Sequence, residues 1–224
     1  MGPFEPSRLV AFFRSAFADD SRAAFRDWYV LQEHLRDDRE RQGESEETAR
    51  ALASDLWSIR GTLVFSSKGE DATFLHNLAV FFGSRGPAED LRRSLFLFEE
   101  SLDAGYGRED LEAWARLQHN RGNALQNLAR SREDLLEALA SYERALGVRD
   151  GSRRIARGVT LHARGLLFRK LAEAEPPRRA ERLRASISSF EESLRLRSEG
   201  GLERGAAETA AALEEARQAL SSGC

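Results

Sequence analysis

A single cysteine, Cys224, stands at the end of the sequence. No disulfide can form within the chain, and no cysteine-based zinc site can be assembled. Prolines number 5 in 224 residues, which leaves long stretches open to helix. No apolar run approaches the roughly 20 residues needed to span a bilayer. The opening Met1-Gly2-Pro3-Phe4-Glu5 has no basic segment followed by an apolar run, which predicts no secretory leader. Lysine is nearly missing: Lys68 and Lys170 stand alone, so positive charge is almost all arginine. A net charge of −3 removes any global electrostatic footprint for nucleic acid. There is no glycine-rich phosphate loop, nucleophile elbow or paired-histidine zinc motif, and Gly105-Tyr106-Gly107 reads as a turn. These absences predict a soluble, cytoplasmic, non-enzymatic protein with neither cofactor nor metal.

What is present is a repeat. Ser94-Leu95-Phe96-Leu97-Phe98-Glu99-Glu100-Ser101-Leu102, Ala138 to Leu146 and Ser186 to Leu194 share one pattern: a small residue, an aromatic four later, a small residue three after that, then leucine. Upstream of each lies a second block: His76-Asn77-Leu78-Ala79, His119-Asn120-Arg121-Gly122 and His162-Ala163-Arg164-Gly165, with the histidines 43 residues apart. Two helical blocks at a fixed period predict stacked helix pairs that share a core no single pair could bury. In that arrangement Ala79, Gly122 and Gly165 let paired helices approach, while Phe98, Tyr142 and Phe190 fill the space toward the next unit.

The hydrophobic spacing and the repeat predict an all-α fold of about ten helices, an α-solenoid of antiparallel pairs. Residues 1–68 form an N-terminal helical region, with helices over Phe4–Phe17, around Phe25–Leu35 and over Glu47–Phe65. Residues 69–199 hold three helix pairs: 71–82 with 89–102, 108–128 with 133–146, and 152–172 with 178–197. Gly147 is the expected stop of the second pair and Gly200-Gly201 of the third. Residues 200–224 supply a capping helix, 203–220, and a frayed tail.

These residues resemble the tetratricopeptide repeat. Asn120-Arg121-Gly122-Asn123-Ala124-Leu125 is similar to the block closing that family's first helix. Ala138, Tyr142 and Ala145-Leu146 are similar to the small–aromatic–small pattern of its second. The resemblance covers Thr73 to Arg197. Glu112-Ala113-Trp114-Ala115 resembles the Trp-bearing start of a unit, one turn early. Units here are longer than the family's roughly 34 residues, the terminal proline is missing, and Arg121 and Arg164 replace a usual leucine. The resemblance implies a right-handed solenoid whose first helices line a concave groove for a protein segment. The positions it implies are Thr73, His76 and Asn77; Arg116, His119, Asn120, Asn123, Gln126 and Asn127; and His162, Leu166, Arg169 and Lys170. Side-chain amides would bond a peptide backbone there and the cations would meet carboxylates.

The histidine series invites a metal reading. Zinc needs ligand nitrogens within about 2.0–2.1 Å, whereas packed helices lie roughly 8–10 Å apart, so the three cannot share one ion. A pH-responsive groove is the functional alternative, and a structural position inherited with the repeat is the favoured one. Arginines at Arg153-Arg154-Arg157 and Arg178-Arg179-Arg182-Arg184 could touch phosphates, but interleaved Glu173, Glu175 and Glu181 favour surface ion pairs. A nucleic-acid-associated regulator and a ligand-responsive helical sensor are the alternatives to a protein-binding adaptor.

Overall fold

The computed structural model describes Ser54, Trp57, residues 68–83 and residues 87–222. The three helices expected before residue 66, apart from Ser54 and Trp57 of the third, lie outside the described residues, as does Cys224. Among the described residues the protein is all-helical: α1 Lys68–Gly83, α2 Ala88–Asp103, α3 Leu111–Leu128, α4 Arg132–Val148, α5 Arg154–Ala174, α6 Arg179–Glu199 and α7 Glu203–Ser221. One-turn 3-10 segments, Gly151–Arg153 and Pro176–Arg178, lead into α5 and α6.

Local chemistry sets the ends. Asp110 caps α3 by accepting from the N–H groups of Glu112 and Ala113, so the helix starts at Leu111 rather than at Arg108. Ser131 and Asp134 form a capping box at the start of α4. After α2 and α6 the chain turns through glycines in the left-handed region, Gly105 at φ 100° and Gly201 at φ 72°. There the N–H of Tyr106 reaches back to the Ser101 carbonyl, and that of Leu202 to the Arg197 carbonyl. Gly147 differs from expectation. It lies inside α4, its φ is not positive, and the helix continues to Val148.

Within each pair the helices are antiparallel and close. Ser94 donates to the Ala79 carbonyl and Ser101 to the Ala72 carbonyl, each at 2.7 Å. The contact order reverses between helices, as antiparallel packing demands. The third pair repeats it, with Ser186 on the Gly165 carbonyl and Ser193 on the Gly158 carbonyl. In the second pair Ala138 and Ala145 hold the serine positions, fully buried. Small residues seven apart on both helices thus meet two turns apart, and the hydroxyls give the facing carbonyls a second partner.

Between pairs, Tyr142 packs with Leu125 and Leu135 of its own pair and with Leu167, Phe168 and Leu171 of α5. Phe190 does the same with Ala212, Leu213 and Ala216 of α7. The opening helices also touch in succession: α1 with α3, α3 with α5, and α5 with α7. Seen from α6, α7 sits where α5 sits seen from α4. Glu214, Arg217 and Gln218 of α7 are exposed, and Arg217 reaches Glu191 on α6 at 2.8 Å.

Arg121 and Arg164 are ties between pairs. Arg121 reaches Glu99 on α2 (2.7 Å) and both Glu137 (2.7 Å) and Ser141 (2.8 Å) on α4. Arg164 reaches Glu143 on α4 (3.0 Å) and Ser189 on α6 (3.2 Å). A leucine could fill the volume but not join the two closing helices. Arg121→Leu is expected to cost about 1 kcal/mol, because its carboxylate partners are half-exposed. Urea midpoints of wild type and variant at low and at about 1 M salt check this, since the difference should shrink as salt screens the pairs.

Candidate functional site

The residues implied to line a groove divide into an inward and an outward set. The three histidines belong to the inward set. Each ring lies beside the aromatic of its own pair: His76 to Phe98 at 5.8 Å, His119 to Tyr142 at 5.9 Å, and His162 to Phe190 at 5.5 Å between centroids. A constant ring-on-ring contact gives a packing reason for the 43-residue period.

The polar edges of two of these rings enter matching networks. Asn123 Nδ2 lies 3.2 Å from His119 Nε2, and Thr160 Oγ1 lies 3.2 Å from His119 Nδ1. With the Asn123 amide donating to Nε2, the imidazole proton sits on Nδ1 and is donated to Thr160. The Thr160 hydroxyl donates to the Ala156 carbonyl at 3.1 Å and accepts from Arg149. Arg149 is buried and is held from its other side by Glu112 at 2.9 Å. The set recurs one pair later. His162 Nδ1 meets Thr209 Oγ1 at 3.1 Å, Thr209 donates to the Gly205 carbonyl, and Arg197 donates to both Thr209 and Gly205.

His76 lacks this partner. Leu117 stands five residues before Gly122, where Thr160 stands five before Gly165, so His76 Nδ1 has no hydrogen bond. The ring instead stacks on Tyr106, with centroids 4.2 Å apart and planes 9° apart. Burial and the Arg116 charge push His76 down to about 3. Burial, Arg149 and Arg197 push His119 down to about 4, and burial and Arg197 push His162 to about 4 against the pull of Glu208. All three are neutral at pH 7, and each is held by packing.

Asn123 and Gln126 are also turned inward, toward Tyr142. Its buried hydroxyl lies 2.7 Å from Asn123 Oδ1 and 2.9 Å from Gln126 Oε1. Burial raises the phenol far above its ordinary range. Arg169 pairs with Glu215 at 2.6 Å, and Lys170 donates to the Gln126 carbonyl at 3.1 Å.

The outward set is smaller. Arg116 and Asn127 are exposed and Asn120 is partly exposed. With Asn123 they occupy positions 116, 120, 123 and 127, one stripe of a helix. Asn120 and Asn127 make no side-chain hydrogen bond among the described residues, and Arg116 makes one, to the Tyr106 hydroxyl at 3.0 Å. Asn77, half-buried on α1, leaves its Nδ2 without a partner.

The arginine clusters are largely engaged within the protein. Arg153 meets Glu112, Arg154 meets Glu199, Arg157 meets Glu192 and Arg178 meets Glu181. Arg179 donates to the Ala219 carbonyl. Arg182 and Arg132 both grip Glu175 and hold it down to about 2. Among the described residues no group of three or more histidines, cysteines or carboxylates is placed to hold a metal ion, and no helix is long and apolar enough to cross a membrane.

Sequence reasoning missed Arg149, Arg197, Thr160 and Thr209. A signal existed for the arginines, which each stand seven residues after the aromatic of their pair, Tyr142 and Phe190. Compared with known proteins, the chain is matched by no family model and by no curated sequence.

Proposed function

We propose that this protein is a non-enzymatic adaptor, a right-handed, tetratricopeptide-like stack of helix pairs that binds a segment of another protein along the face of its opening helices. Three recurrences support the stack: the histidine–aromatic contact, the small-residue seam, and the arginine ties between closing helices. The observation that carries the binding reading is the α3 stripe of Arg116, Asn120 and Asn127. Its amides and guanidinium retain donors and acceptors that the fold does not use. Such groups suit the backbone of an extended or helical segment, and Arg116 suits an acidic side chain. The engagement of the arginine clusters by carboxylates disfavours the nucleic-acid alternative.

The test is a pull-down with wild type and the triple variant Arg116→Ala/Asn120→Ala/Asn127→Ala, which leaves the inward histidine networks intact. Circular dichroism confirms that both are folded. A protein held by wild type and lost by the variant is the expected result. Equal retention by both moves binding off this face, and a catch abolished by nuclease replaces the adaptor reading with the nucleic-acid one.

A further inference from the structure

Cations along the opening helices are engaged unequally. At the α5–α7 end Arg169 pairs with Glu215 and Lys170 donates to the Gln126 carbonyl. At the α1 end Lys68 and Arg108 are exposed and their side chains make no hydrogen bond or ion pair among the described residues, and the Arg116 side chain makes only its bond to Tyr106. These three side chains come from separate segments, the start of α1, the α2–α3 connection and α3, yet they line one cleft of about 520 Å³. That volume is in the range of small-molecule sites. Ala72, Ala113 and Tyr106 give it an apolar floor.

The connection is shaped to hold this arrangement. Gly105 and Gly107 take φ 100° and 73°, and a Cβ on Gly107 would lie 2.6 Å from the Trp114 backbone. A side chain at Gly105 would be strained by its φ alone, and one at Gly107 would also have to displace Trp114 near the start of α3. Gly107 and Glu109 also line the cleft, and their N–H groups meet no acceptor among the described residues. Two acids are present. Asp110 accepts from the N–H groups of Glu112 and Ala113, whereas Glu109 is exposed and opposes an anion.

We propose that this cleft binds the phosphate of a small phosphomonoester. Cationic donors arriving from three segments suit a tetrahedral oxyanion, which accepts in several directions at once. A carboxylate presents its two oxygens in a single plane. The apolar floor takes the body of the ligand. The inference shares Arg116 with the adaptor reading, but its test uses Lys68 and Arg108, which lie outside that stripe, so either reading can fail without the other.

Calorimetric titration of the full chain with inorganic phosphate, adenosine 5′-monophosphate and acetate, at fixed ionic strength, tests it. Phosphate and the nucleotide should bind saturably and acetate more weakly. Lys68→Gln and Arg108→Gln should each weaken phosphate about tenfold, the loss of one charge-assisted contact. Glu109→Gln should tighten it, and Arg184→Gln, a distant exposed arginine, should leave it unchanged. Both weakening substitutions fall on exposed, unpartnered side chains, so the fold should persist, and circular dichroism checks this. No saturable binding, acetate bound as tightly as phosphate, or a loss in Arg184→Gln equal to that in Arg108→Gln would each overturn the proposal.

Discussion

Acidification from about pH 7 to about pH 5 is expected to weaken this fold more than any single surface substitution, through buried His76 and the partly buried His119 and His162. In the unfolded chain a histidine takes up its proton near pH 6.5. In the fold His119 and His162 are held to about 4 and His76 to about 3. Between those limits the unfolded state binds more protons than the folded one, so stability rises with pH. It is complete above pH 6.5 and is lost as pH falls toward 4. At pH 5 the difference reaches at most roughly 2 kcal/mol per histidine. Three such groups rival the total stability of many domains, roughly 5–15 kcal/mol.

The structural cause is specific at each ring. A proton added to His119 would place a second cation beside buried Arg149 and set an N–H against the Asn123 amide donor. His162 would meet Arg197, with Glu208 offsetting part of the repulsion. His76 has no acceptor for the proton it would gain, and Arg116 repels the charge. Glu175, gripped by Arg132 and Arg182, adds a separate loss in the window below pH 4.5, where the unfolded carboxylate protonates first. Urea unfolding at pH 7, 6 and 5 measures the slope. His119→Gln should flatten it by about a third, and a midpoint that does not move between pH 7 and 5 would show that the rings are not held neutral.

The histidines also show where sequence reasoning stops. The helices from residue 68 on were legible because their signal is local: apolar periodicity along them and glycines or prolines between them, although the caps Asp110 and Ser131 that set two of the starts were not read. The seam was legible too, since small residues seven apart have few other uses in a helix. Which side of a stripe faces inward was not. His119 and Asn120 are adjacent, yet one packs on Tyr142 and the other makes no bond, because the packing of α3 against α4 and α5 decides it. The partners that make His119 structural, Thr160 and Arg149, come from two other segments, and the seven-residue spacing of Arg149 from Tyr142 marks a recurring position without saying what it bonds. Arg121 and Arg164 stood out as departures from a resemblance, and only the positions of Glu99 and Glu143 explain them. Gly147 misleads because a glycine near a helix end is as often a passenger as a stop.

Glycine chemistry also sets the other large expected effect. Gly165→Leu should destabilise the protein by about 3 kcal/mol, the upper end for overpacking a filled core. A Cβ on Gly165 would fall 2.5 Å from Phe190 Cε1 and 2.7 Å from Cδ1, closer than carbon atoms tolerate. Phe190 is fully buried against Ala212, Leu213 and Ala216, so its ring cannot swing aside without moving α7. Alanine meets the same ring, but it gains roughly 1 kcal/mol of helix propensity over glycine, so Gly165→Ala should lose less. Gly147→Ala separates the two contributions. Nothing lies within 4 Å of its added Cβ, so only propensity acts and the variant should gain about 0.5 kcal/mol. Shrinking the obstructing ring supplies the converse. Phe190→Leu alone leaves a cavity, but in the Gly165→Ala background part of that volume is filled. The double variant should therefore be more stable than the sum of the single losses by about 1 kcal/mol. Additive losses in that cycle would mean that Gly165 and Phe190 do not press on each other, and that the close approach of α5 and α6 is not what the glycine is for.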